Sequence, residues 1–262
     1  MLRFSANLSI LFTELPFAER FAAAKAAGFD AVECWFPYEH ATAAQVGGLL
    51  RDNGLQMVGI NTPWGADGQW GLAALPGSEA AFEDSLRRTL DYAQAIGRPA
   101  VHVMAGLAGH VPAHEARRAY LANLRKAVRL AEGSGVTLLI EPLNGRDRPG
   151  YFLRSVEQAA QVIESQGLDS LRIMFDCYHT QIEEGDVITR LRRHFGKLGH
   201  IQIAGVPARG EPDRGELNYT EILRELRQLG WSGHIGAEYK PSGASAQSLA
   251  WLHALRQDGI AA

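Results

Sequence analysis

The chain has 262 residues, 46% of them hydrophobic, and 26 basic side chains against 29 acidic ones give a formal net charge of −3. That much apolar surface can offset the entropy of ordering the backbone, which excludes intrinsic disorder. A slightly acidic chain without basic clusters also argues against nucleic acid as partner, because phosphate binding needs concentrated Lys and Arg.

Short β-rich runs recur at about 3–10, 30–36, 55–63, 100–107, 136–144, 171–179, 200–205 and 234–241. Longer segments with helical periodicity lie between them, at Pro16–Gly28, Ser78–Gly97, Ala113–Ser134 and Tyr219–Gly230. Pro16 and Pro112 suit helix starts, where a missing N–H costs little. Ser78 suits an N-cap, and Ala81 three residues on rules out a capping box. Glu79, Glu83 and Asp84 place acid where the helix dipole favours it. Gly28, Gly54, Gly97, Gly135, Gly167 and Gly230 fall where helices should end in a left-handed turn.

Val136-Thr137-Leu138-Leu139-Ile140 is mostly apolar on both faces, as in a parallel strand covered by helices. Eight strand–helix units at about 33 residues each fit a closed (β/α)8 TIM barrel, read as one domain over residues 1–262. An open doubly wound sheet is the alternative, but no Gly-x-Gly-x-x-Gly turn follows the first strand. Cys34 and Cys177 read as buried, reduced thiols rather than a disulfide framework. No apolar stretch approaches the roughly 20 residues of a membrane span. The N-terminus turns polar by Ser5 and Asn7, unlike a secretory signal, so the expectation is a soluble cytoplasmic protein.

Function in such a barrel sits at the C-terminal ends of the strands. The last four strands each end with one carboxylate or amide in an otherwise apolar segment: Glu141, Asp176, Gln202 and Glu238. One such residue alone is usually a salt-bridge partner or solvated. Three acids meeting at one rim would repel and pay for desolvation unless a cation joined them. The all-oxygen set suits Mg²⁺ or Mn²⁺ and leaves about two octahedral positions for substrate or water.

At these residues the chain resembles the hydroxypyruvate isomerase family, within the xylose-isomerase-like sugar isomerases and epimerases. The resemblance runs nearly end to end. It is carried by Arg3-Phe4-Ser5-Ala6-Asn7-Leu8-Ser9, Glu33-Cys34-Trp35-Phe36-Pro37-Tyr38, Gly59-Ile60-Asn61-Thr62-Pro63, Ile140-Glu141-Pro142-Leu143-Asn144, Phe175-Asp176-Cys177-Tyr178-His179 and Glu238-Tyr239-Lys240-Pro241. The most specific stretch runs from His200-Ile201-Gln202-Ile203-Ala204-Gly205 to Gly210-Glu211-Pro212-Asp213-Arg214-Gly215-Glu216-Leu217-Asn218-Tyr219.

The resemblance implies a divalent metal on Glu141, Asp176, Gln202 and Glu238, with Glu141 and Glu238 doubling as the proton-transfer pair. Related ketose 3-epimerases usually carry His at the position of Gln202, which favours the hydroxypyruvate isomerase branch. That branch also holds 2-oxo-tetronate isomerases. The implied reaction moves a proton between adjacent carbons of a small sugar acid through an enediolate, converting hydroxypyruvate to tartronate semialdehyde.

The substrate carboxylate needs cationic partners, and His179, Arg209 and Lys240 are the candidates, Lys240 because it follows Glu238 by two residues. Glu211, Asp213 and Glu216 should order the loop that carries Arg209. His102 reads either as a pocket residue or as a core histidine. His40, His110, His114, His194 and His253 read as loop or helix-surface residues, and His200 and His234 as strand openers far from the chemistry. Trp35, Phe36, Trp64 and Trp70 should wall the pocket, with Trp70 open to an oligomer contact as well. A nuclease of related fold would want a multi-zinc, His-rich site and a basic groove, and a sugar-acid-binding scaffold is the non-catalytic alternative.

Overall fold

The computed structural model describes residues 1–66 and 68–262. Strands β1 (Arg3–Asn7), β2 (Ala31–Glu33), β3 (Gln56–Asn61), β4 (Ala100–His102), β5 (Leu138–Ile140), β6 (Leu171–Asp176), β7 (Leu198–Ile203) and β8 (His234–Ala237) pair in parallel, each with the next. β8 pairs with β1 and closes the barrel, so no strand presents an open edge. The barrel expected from the alternation of elements is the observed fold, not the open sheet.

The outer helices are α1 (Phe17–Ala26), α2 (Ala43–Asn53), α3 (Glu79–Ala95), α4 (Ala113–Ala131), α5 (Val156–Gln166), α6 (Cys177–Glu183), α7 (Val187–His194), α8 (Tyr219–Gln228) and α9 (Ala250–Gln257). α3 buries Phe82, Leu86, Leu90 and Ala93, a three-and-four spacing that makes one apolar stripe toward the strands. Truncating one such leucine to alanine costs about 2–5 kcal/mol.

The termini follow the sequence chemistry. Pro16 and Pro112 directly precede α1 and α4. Gly54 and Gly167 end α2 and α5 in left-handed turns, at φ 58° and 60°, where a Cβ would be strained. Ser78 precedes α3 without a side-chain cap bond, and the reciprocal capping box lies instead at Thr42 and Gln45 of α2.

The β-rich runs of the sequence overshoot the strands at their functional ends. The sixth stops at Asp176 because that carboxylate accepts the Tyr178 N–H at 2.8 Å and so starts α6. Glu141 and Glu238 are the first residues beyond β5 and β8. The strands thus deliver these acids to the rim and release the chain immediately afterwards. Cys34 and Cys177 are buried and free. No described helix is long and apolar enough to cross a membrane.

Candidate active site

Strand register sets the first layer of the site. Asp176 pairs with Gln202 across β6 and β7, and Gln202 with Gly236 across β7 and β8. Glu141, Asp176, Gln202 and Glu238 are all buried. Burial, then the charges of Glu238 and Asp176, push the Glu141 carboxyl well above its ordinary range. Glu238 is raised to about 7, chiefly by burial, with Arg209 opposing and Glu33 and Asp176 adding to the rise. The rim therefore gathers more negative charge than a dry site tolerates unaided.

Arg209 supplies part of the compensation. Its Nη2 contacts Glu238 Oε1 and lies 3.3 Å from Asp176 Oδ2, and the guanidinium sits over the Tyr178 ring at 5.1 Å. Burial lowers its pKa, but Glu238, Asp176 and Glu141 outweigh that and raise it. Its backbone is left-handed, at φ 56°, and its carbonyl accepts the Lys240 N–H at 2.6 Å. Glu211 ties the same loop down by accepting from the Ser242 N–H and hydroxyl, at 2.8 and 2.6 Å. Asp213 and Glu216, expected to help, are exposed.

His179 lies in the first turn of α6, beside the acids. The Asn144 backbone N–H donates to its Nδ1 at 3.1 Å, so Nδ1 is an acceptor and the ring proton belongs on Nε2, 3.7 Å from Asp176 Oδ2. Burial, then Arg209 and Arg148, hold its pKa well below the usual histidine value. His179 is thus a neutral N–H donor. His102 lines the same cavity with Nδ1 3.3 Å from Glu141 Oε2, and burial lowers its pKa to about 3.

A second layer escaped the sequence reading. Glu33, the last residue of β2, is buried and reaches across the barrel. Its Oε1 accepts from Gln202 Nε2 at 3.0 Å and Asn7 Nδ2 at 3.3 Å, and its Oε2 meets His200 Nε2 at 2.5 Å. Asn7 Nδ2 also donates to Glu238 at 2.8 Å. Gly236 makes room for this layer, because a Cβ there would lie within 2.9 Å of both Glu33 Oε2 and Gln202 Cγ. The signal was present in the sequence as polar residues ending the first two strands, within the motifs Ser5-Ala6-Asn7 and Val32-Glu33. His200 therefore sits directly under the site rather than far from it. β7 begins at Leu198, two residues earlier than the sequence run, which lifts His200 toward the rim.

The aromatic wall expected from the second and third loops is present. Trp35, Phe36, Trp64 and Trp70 line the cavity with Asn61, Met104, Leu143, Asp147 and Arg148. Trp64 packs against Phe36 and Trp70 at ring separations of 4.2 and 4.4 Å. Lys240 is not part of this cavity. It is exposed and borders an outer groove with Val206, Pro207 and Arg214. β8 ends at Ala237, so the strand alternation that was to carry Lys240 to the side of Glu238 no longer applies. His194, expected at a helix surface, is buried 3.3 Å from Glu157.

The donors suit a hard cation. Glu141, Asp176 and His179 each offer a ligand atom within 4.8 Å of the others. Glu141 Oε1 and Gln202 Oε1 are buried without a hydrogen-bond partner among the described residues, as oxygens awaiting a positive charge would be. The hydrogen bond at Nδ1 leaves the ring proton of His179 on Nε2, toward Asp176.

A closed parallel barrel with three acids and an amide at the C-terminal ends of its last four strands defines a class of enzyme sites. The chain belongs to the xylose isomerase-like TIM barrel family, whose model matches residues 21–255. It is 49% identical to a 2-oxo-tetronate isomerase of Cupriavidus necator, over 96% of this chain and 98% of that one. It is 37% identical to the hydroxypyruvate isomerase of Escherichia coli K12, over 98% of this chain and all of that one. Among solved structures, a Brucella melitensis protein described as AP endonuclease, family 2, superposes with a TM-score of 0.94 at 38% identity, covering 97% of this chain and 99% of that one. The isomerase class expected from the motifs is therefore also that of its relatives.

Proposed function

We propose that the protein is a divalent-metal-dependent isomerase of a small 2-oxo sugar acid, with Glu141 and Glu238 as the proton-transfer pair. The carrying observation is that Glu141 and Glu238 line one cavity while Asp176 and Gln202, paired across β6 and β7, are buried beside them. Glu141, Asp176, Gln202 and Glu238 are the residues to hold Mg²⁺ or Mn²⁺, which when bound supplies Lewis-acid polarisation of the substrate's 2-oxo group.

The remaining chemistry belongs to the side chains. For hydroxypyruvate, one carboxylate removes a proton from C3, and the electron pair moves toward C2 to give an enediolate. The partner carboxyl delivers a proton to C2, and the hydroxyl proton passes from O3 to O2, leaving tartronate semialdehyde. Burial raises both carboxyls, with Glu238 and Asp176 adding to the rise at Glu141 and Glu33 and Asp176 at Glu238, which suits acid–base groups that exchange protons near neutral pH. General acid–base action of this kind contributes roughly 10²–10⁴-fold. His179 donates from Nε2 to a substrate oxygen, and the aromatic wall keeps water from the enediolate.

The 49% identity to a 2-oxo-tetronate isomerase favours a four-carbon acid as the better substrate. An AP endonuclease activity, as named for the Brucella protein, fits poorly with a net charge of −3 and a cavity lined by four aromatic rings. The reading includes a cytoplasmic, single-domain enzyme. The deciding experiment assays both acids on metal-reconstituted protein with and without chelator. Isomerisation that is abolished by chelation and restored by Mg²⁺ or Mn²⁺ is expected. Undiminished turnover after full metal removal overturns the reading.

A further inference from the structure

Two Lys or Arg side chains are found among the described residues lining the cavity, Arg148 and Arg209. They are not equivalent. The Nη2 of Arg209 already meets two carboxylates, Asp176 and Glu238. Arg148, in the loop between β5 and α5, donates from Nη1 to the backbone carbonyl of Asp147, at 2.7 Å. The neighbouring Asp147 carboxylate is taken by others, accepting from Tyr178 Oη at 2.8 Å and Asn144 Nδ2 at 3.3 Å. The Arg148 guanidinium instead lies over the Trp70 ring, its Cζ 3.6 Å from the ring centroid.

From this geometry we infer that Arg148, held by Trp70, receives the carboxylate of the substrate and selects acids over uncharged sugars. The inference rests on the sugar-acid reading above and assigns that selectivity to one residue. The ring contact anchors the guanidinium, and with Nη1 engaged by the Asp147 carbonyl its Nε and Nη2 are left for a bidentate carboxylate contact. Electrostatics point the same way. Burial and the like charge of Arg209 both lower the pKa of Arg148, so an anion placed beside it relieves an existing cost. A substrate carboxylate near Glu141 and Glu238 would be repelled, whereas at Arg148 it is attracted, and the reacting carbons are left to the acids. Lys240 faces another groove, and His179 is neutral, so neither supplies this charge.

The test compares D-glycerate, a non-isomerising acid, with glyceramide, its uncharged amide of nearly equal shape, by calorimetry on Mn²⁺-loaded protein. Wild type should bind glycerate more tightly. Arg148→Met keeps the stem and removes the charge, and should erase that preference by weakening glycerate roughly 10- to 100-fold. Mn²⁺ affinity and Tm should stay as in wild type, and Arg148→Lys should recover part of the preference. A preference that survives in Arg148→Met, or equal losses for both ligands, overturns the inference. Should neither 2-oxo acid be turned over while the preference still depends on Arg148, the carboxylate site stands and the isomerase reading falls.

Discussion

The rim of the barrel divides into two halves that use the same fold position differently. From β5 to β8, charged and amide groups sit on the strands or one residue beyond, as Glu141, Asp176, Gln202 and Glu238 do. From β2 to β4, the groups facing the cavity are mostly aromatic and come from connecting loops, as Trp64 and Trp70 do. Strand ends are fixed by the ladder of the barrel, so they suit acids whose spacing must hold to fractions of an ångström. Loops trade that rigidity for reach, and rings carried on them suit enclosure and shape. The expected division of labour is turnover in one half and substrate retention in the other.

The sharpest way to break this comparison is to remove charge without volume from the acid half. Glu141→Gln and Glu238→Gln should each lower kcat by about 10²–10⁴-fold in the metal-loaded enzyme. Both carboxyls are raised by burial and repulsion, so the same variants should raise Tm in metal-free protein. A drop in Tm alongside the loss of turnover would mean that the acids chiefly hold the fold together. In the aromatic half, Trp70→Ala removes the ring under Arg148 and opens the wall beside Trp64. There KM should rise about 10-fold while kcat changes less than 3-fold, an effect of about 1.4 kcal/mol on binding. Should kcat carry the larger loss, the division between the halves would not hold.

The acids also make the metal-free fold pH-sensitive, with a definite sign. The Glu238 carboxyl is raised from 4.5 to about 7, so the folded protein holds a proton that the unfolded chain releases between those values. Its contribution to stability is complete below pH 4.5 and is lost as pH rises through 7. Metal-free Tm should therefore fall by roughly 5 °C from pH 5 to 7.5. Divalent metal, which displaces protons from its ligands, should recover more Tm at pH 7.5 than at pH 5. Thermal scans across that range check both slopes, and a rising metal-free profile would contradict the electrostatic account of the rim.

How much of this was legible in the sequence differs between the halves for physical reasons. An acid that interrupts an apolar strand, such as Asp176 after Ile173-Met174-Phe175, is visible because a buried carboxylate is costly without a compensating partner. The periodic glycines were equally plain, since only a left-handed residue ends a helix in that way. Glu33 was hidden, because its importance depends on a register that carries it across the barrel to His200 and Gln202. Arg148 was hidden in a polar loop, where a charge is ordinary until a tryptophan from another loop is found beneath it. Long-range partners of this kind have no periodicity to read.

Lys240 is the smallest test and bears on where each half of the rim ends. The pattern Glu238-Tyr239-Lys240 would put Lys240 beside Glu238 only if β8 continued, and it ends at Ala237. The chain then turns, and the Tyr239 ring is buried against Trp251 at a centroid separation of 6.1 Å. What Lys240 contributes to the site is its backbone N–H, which holds the carbonyl of Arg209. Lys240→Ala keeps that N–H and should change kcat/KM less than 2-fold, within the range usual for an exposed side chain. Lys240→Pro removes it and should loosen Arg209 from Asp176 and Glu238. A large loss in the alanine variant would return the ammonium group to the substrate and extend the acid half by one strand turn.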